Sequence, residues 1–134
     1  MFAQLVKASL LSTLVLVLGC SDLTNPIAQT DTPLTPLPQY TTWWQLDLEC
    51  SGLPDASLSS LRWFTVSTHT IDNEDLVVAK TYWPQRDIRL VPVYVDDERI
   101  VRHEMLHALL YAAGKTSESV NHDPLYFHTR CGLL

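Results

Sequence analysis

From Thr41 onward, apolar runs alternate with polar, turn-forming stretches, and the period of each run says what it can become. "TTWWQLDLECSGLP" groups Trp43, Trp44, Leu46 and Leu48 ahead of a turn at Ser51, Gly52 and Pro54; its pattern suits a short helix or a strand, and periodicity does not decide. "SLRWFTVSTHTI" sets Trp63, Phe64 and Val66 among threonines and predicts a strand over about 61–68. "DLVVAKTYW" and "RDIRLVPVYV", separated by Pro84, Gln85 and Arg86, read as two further strands. Pro92 limits the second, because proline cannot donate a ladder hydrogen bond. The period then changes. Val101, Met105, Ala108, Leu109 and Ala112 recur at helical spacing and predict a helix over roughly 97–113 that turns these five toward the core. Asp96 or Asp97 caps it, Asp97 and Glu98 put negative charge in its first turn, and Gly114 supplies a left-handed stop. "KTSESVN" follows as a polar loop, then "HDPLYFHTRCGLL", a short tail with an aromatic pair at Tyr126 and Phe127. No internal repeat is visible. Strands followed by one strong helix predict an α+β domain, in which Trp43, Trp44, Trp63 and Trp83 are core and rim aromatics rather than a stacking platform.

The first forty residues have a different pattern. A lone early charge, Lys7, precedes an apolar run from Leu10 to Leu18, as in a secretory signal, and the run is shorter than a membrane span requires. It ends in Val17, Leu18, Gly19, Cys20, which resembles the processing site of bacterial lipoproteins. Residues 1–19 are therefore expected to be a lipoprotein signal peptide and Cys20 the lipidated first residue; an ordinary secreted protein with a chance cysteine is the plainer alternative. Pro26, Pro33, Pro36 and Pro38 among Thr, Ser and Asp make residues 20–40 an extended tether. This places the domain, residues 41–134, in the bacterial cell envelope, anchored to a membrane by lipid and outside the cytoplasm.

A domain of that size has a marginal core, which gives the cysteines weight. With Cys20 lipidated, Cys50 and Cys131 remain near the two ends of the domain. In an oxidising compartment they are expected to form a disulfide, worth on the order of 4 kcal/mol in the chain-entropy model. Zinc ligation by the two is the weaker reading, since neither has a close C-x-x-C partner. The formal net charge of -6, with no basic patch, makes nucleic acid an unsuitable partner.

The predicted helix carries the chemistry. In "VRHEMLHALLYAAG", His103 and His107 are four apart, one turn along a single face, and can present imidazoles to one ion. Glu104 lies beside the pair, placed to act as general base on a water activated by zinc. With five histidines and five glutamates in 134 residues, H-E-x-x-H arises by chance about 0.007 times, so an amphipathic helix with two incidental histidines is the lesser reading. A catalytic zinc ion needs a third protein ligand and an open position. The metzincin extension fails, because Leu110 and Ala113 stand where it has Gly and His. His122 is the chosen third ligand, after a loop long enough to turn back. Asp123, as ligand or as a carboxylate orienting an imidazole, competes with it, as do Glu118, His128 and, less so, His69. Tyr126 is a candidate donor to an oxyanion, or simply half of a packing pair.

"RHEMLHALL" followed by "NHDPLYFHTRC" resembles the zincin-like metalloprotease superfamily, and specifically small bacterial lipoproteins in which the same helix precedes a short His-Pro-x-x-Tyr-Phe element and a terminal cysteine. The "WWQLDLECSGL" opening is similar to theirs, so the resemblance covers most of the chain after the tether. It implies His103 and His107 as the metal pair, Glu104 as base and His122 as third ligand, although Asp123 stands where that element has proline. It also implies a mixed sheet packed on the active-site helix, with an extended peptide lying along an edge strand.

Two functions follow as expectations. One is a zinc-dependent peptidase acting on a peptide or protein substrate with one zinc ion. The other is a non-catalytic zinc-binding lipoprotein that serves as a binding or scaffold module. Glu104 favours the first, because a structural zinc gives a general base nothing to do.

Overall fold

The computed structural model describes residues 28–115 and 121–134. The leader, Cys20, the tether as far as residue 27, and Glu118 lie outside the described residues.

The "TTWW" segment is a helix, α1 (Gln39–Ser51). Its buried stripe is Tyr40, Trp43, Trp44, Asp47 and Ser51, a helical spacing that includes two polar residues while Leu46 stays 37% exposed. That explains the ambiguity of the pattern: hydrophobicity and burial part company here. Gly52 ends the helix in a left-handed conformation, φ 67°, with its N–H donating to the Leu48 carbonyl, a geometry that costs a residue without Cβ little.

The sheet has four strands in the order β1-β2-β4-β3: β1 (Asp31–Pro33), β2 (Arg62–Val66), β3 (Ala79–Tyr82) and β4 (Asp87–Leu90). β2 and β4 pair in parallel at the centre; β1 and β3 flank them, each antiparallel. β1 lies within the stretch expected to be tether. Its register on β2 pairs Asp31 with Val66 and Pro33 with Phe64, and the Leu34 N–H donates to the Trp63 carbonyl at 2.8 Å. With Tyr40 fully buried as well, the folded unit begins before Thr41. Proline is tolerated in β1 because that strand is an edge.

Both longer strand expectations are cut back. Asp75–Val78 is not strand: the chain turns there, with Asp72, Asn73 and Leu76 at positive φ, leaving four residues for β3. β4 stops at Leu90, and Pro92 opens a short 3-10 turn, Pro92–Tyr94, where its missing N–H costs nothing. The strong helix is α2 (Glu98–Ala112), with the Asp97 carboxylate accepting from the Ile100 N–H at 3.1 Å and Gly114 at φ 69° beyond its end.

Trp63 is paired with Ile88, and Thr81 with Ile88 from the other side. Cross-strand partners share a face, so these residues all point toward the helices. Between sheet and helices lies the main core: Tyr40, Trp43 and Trp44 from α1, Trp63, Ile88 and Leu90 from the sheet, Val101, Met105, Ala108 and Leu109 from α2. Ala112, expected inside, is exposed. Instead Leu106 and Leu110, on another side of α2, are fully buried with Tyr126, Phe127 and Leu133. The aromatic tail thus forms a second layer, wound as a short wide helix, Leu125–Arg130. The Cys50–Cys131 disulfide fastens it to α1, and the Arg130 guanidinium donates to the Ser51 carbonyl. The result is a small α+β domain with a mixed sheet and α2 buried on two sides. Among the described residues no helix is long and apolar enough to cross a membrane.

Candidate metal centre

With α2 buried on two sides, the strip carrying His103 and His107 is left facing a cleft of about 800 Å³. Their Nε2 atoms are 3.2 Å apart, and Nε2 of His122 lies 2.9 Å from the first and 3.3 Å from the second. The third imidazole comes from the tail, on a backbone at φ 63°, a left-handed conformation that histidine adopts more readily than bulky residues do. The strain is local and aims the ring back over α2.

Three ring nitrogens meeting at one point present a chemical problem. A neutral imidazole carries one N–H, so lone pairs are forced together unless a proton or cation stands among them. Tetrahedral zinc with bonds of about 2.0 to 2.1 Å holds two nitrogens roughly 3.3 Å apart, close to the edges of this triangle. Burial, reinforced by the His122 charge, pushes the His103 imidazole down to about 4, which keeps it a neutral, lone-pair donor near pH 7. Its Nδ1 faces the Leu133 carbonyl at 3.5 Å, an orientation that points Nε2 into the cluster. Beneath all three rings lies Phe127, fully buried, with centroid distances of 4.8, 4.7 and 5.2 Å to His103, His107 and His122.

Glu104, next to His103 on α2, reaches toward β3. The Thr81 hydroxyl lies 2.7 Å from its Oε2 and 2.9 Å from its backbone carbonyl oxygen. Glu104 is 5% exposed, and burial raises its carboxyl to about 7 against the lowering effect of the Thr81 hydrogen bonds. Both Glu104 and Thr81 line the cleft.

The other candidates are elsewhere. Asp123 holds the turn that leads into the tail helix: Oδ1 accepts from the Leu125 N–H at 2.9 Å, and its carbonyl accepts from Tyr126 and Phe127. His69 and His128 are exposed and outside the imidazole cluster. Tyr126 does not line the cleft; it packs with Leu106, Leu110 and Phe127, and Lys115 and Arg130 lie over its ring at 5.8 and 5.3 Å. The oxyanion role therefore has no geometric support, and the packing role does. Thr81, Phe127 and the Leu133 carbonyl are the contributors that sequence reasoning missed as site groups. Thr81 and Leu133 carry no local signal, and the aromatic pair at 126–127 pointed to packing only.

Comparison with protein-family models, with curated proteins and with solved structures returns no match. What the site can do rests on its own chemistry.

Proposed function

We propose that the chain is a zinc-dependent, zincin-like peptidase of the cell envelope, and the observation that carries this is the convergence of three imidazole nitrogens beside a buried carboxylate in one cleft. His103, His107 and His122 would hold one zinc ion, which supplies Lewis acidity toward a carbonyl oxygen and toward water. Three protein ligands leave a coordination position open, as catalytic sites require. Glu104 takes a proton from the attacking water and passes it to the departing amine. Its elevated affinity for a proton suits both halves of that transfer near neutral pH. Thr81 holds the carboxylate in place from β3.

The substrate is an extended peptide. β3 is the last strand of the sheet, and residues 77–81 line the cleft, so the strand edge away from β4 offers main-chain groups to a peptide laid beside it. The N-terminal pattern adds the location: a lipid on Cys20 would keep the domain at a membrane surface outside the cytoplasm.

The experiment is zinc content and peptide hydrolysis of the purified full-length chain, compared with Glu104→Gln. One zinc per chain in both, with turnover only in the wild type, supports the peptidase. Zinc bound by both with no hydrolysis by either points to the binding-module alternative, and a chain that takes up no zinc ends both readings.

A further inference from the structure

The floor of the cleft is one face of α2, where Arg99, His103, His107 and Tyr111 follow at four-residue spacing and all line the cavity. The charged groups around it are mostly engaged. Lys80 is paired with Asp72 and Glu74 at 3.0 and 2.6 Å, Asp97 caps α2, and Glu104 is held by Thr81. Arg99 is the exception: among the described residues its guanidinium has neither hydrogen bond nor ion pair. Its neighbour Arg102 shows the contrast, bonded to both Asp47 and Glu98. Nor does Arg99 serve the helix, since a cation in the first turn opposes the helix dipole.

The direction of the cleft is also legible. Thr81 meets Glu104, and Trp83 stacks on Tyr111 at 5.7 Å with the rings 3° from parallel. β3 and α2 therefore run the same way, and Arg99 lies at the end of the cleft where β3 begins. A peptide antiparallel to β3 brings its C-terminus to Arg99; a parallel one brings its N-terminal ammonium there, against a like charge. The cleft also presents apolar side chains from Leu76, Val77, Ile100 and Leu133.

We propose that Arg99 is a substrate-binding residue that captures the free C-terminal carboxylate of a peptide ending in an apolar residue, laid antiparallel to β3, so that cleavage removes the last two residues. Four helical residues, a rise of about 6 Å, separate Arg99 from His103, the span of roughly two extended residues. This rests on the peptidase reading and narrows it from peptides in general to peptide ends.

The probe is an N-acetylated hexapeptide ending in leucine, made as the free acid and as the C-terminal amide. Its affinity is measured for the zinc-loaded full-length Glu104→Gln chain and for the same chain carrying Arg99→Gln, and wild-type products are read by mass spectrometry. The expected result is about tenfold or stronger preference for the acid, a ratio near one once Arg99 is replaced, and release of a C-terminal dipeptide by wild type. Equal binding of acid and amide, or a preference that survives Arg99→Gln, overturns the assignment; internal cleavage indifferent to the terminus overturns it while leaving the peptidase intact. An Arg99-dependent preference without cleavage keeps the carboxylate site and removes the peptidase. No binding and no cleavage removes both.

Discussion

The Thr81 hydroxyl, at 2.7 Å from Oε2 of Glu104, links the sheet to the helix that carries the candidate ligands. Thr81 points that way because it is paired with Ile88, whose side chain is in the core beneath α2. Thr81→Val keeps the shape and deletes the hydroxyl. A hydrogen bond to a charged group is worth about 1.5 to 3 kcal/mol, so turnover should fall roughly tenfold or more while zinc content stays at the wild-type level. Equal turnover in steady-state assays of the two chains would show that Glu104 needs no help from β3.

His122 and Asp123 are adjacent but do different work, and their substitutions should separate. His122→Ala removes one corner of the nitrogen triangle and should lower zinc affinity by orders of magnitude in a competition titration with a chromophoric chelator. Asp123→Ala removes a side-chain-to-backbone hydrogen bond, should cost about 1 kcal/mol of stability, and should leave the three histidines in place. If the aspartate variant loses more zinc than the histidine variant, the ligand assignment is wrong.

The Cys50–Cys131 bridge spans 81 residues and holds the tail that carries His122. In the chain-entropy model its loss costs about 4 kcal/mol, so the Cys50→Ser, Cys131→Ser chain should unfold at markedly lower denaturant. The measurement is a urea titration followed by tryptophan fluorescence.

Asp47 should make stability depend on pH. It is fully buried on α1, with Oδ1 2.9 Å from Nε of Arg102. Burial raises its carboxyl from 3.8 to about 7, outweighing the lowering by Arg102. Between pH 4 and 7 the folded chain keeps a proton that the unfolded chain has released, so this group's contribution is full below pH 4 and is lost as pH rises through 7. Asp47→Asn should flatten that part of a melting-temperature profile. A profile with the same slope in both chains would assign the pH dependence to other groups.

Much of this was readable along the chain because it is local. The capping of α2 by Asp97, its stop at Gly114 and the His103, Glu104, His107 spacing depend on residues within a turn or two of one another, where backbone geometry and side-chain direction follow from the helix alone. The disulfide was legible from the scarcity of cysteines. The tether boundary was not, because Asp31–Pro33 becomes a strand only by borrowing hydrogen bonds from β2, and a proline-rich stretch has no pattern of its own that records a distant partner. α1 was ambiguous for a related reason: Asp47 is inside because Arg102 of α2 meets it there, and Leu46 is partly exposed.

The sequence by itself determined the helix and the side-by-side placement of His103, Glu104 and His107 on it, since each follows from spacing within one element. Tertiary structure brought His122, rather than Asp123, His69 or His128, to the two helix histidines, placed Phe127 beneath the three rings, and brought Thr81 to Glu104 across 23 positions of chain. Those choices depend on how α2 is buried between the sheet and the tail, and close packing between distant segments leaves no periodic trace in the chain.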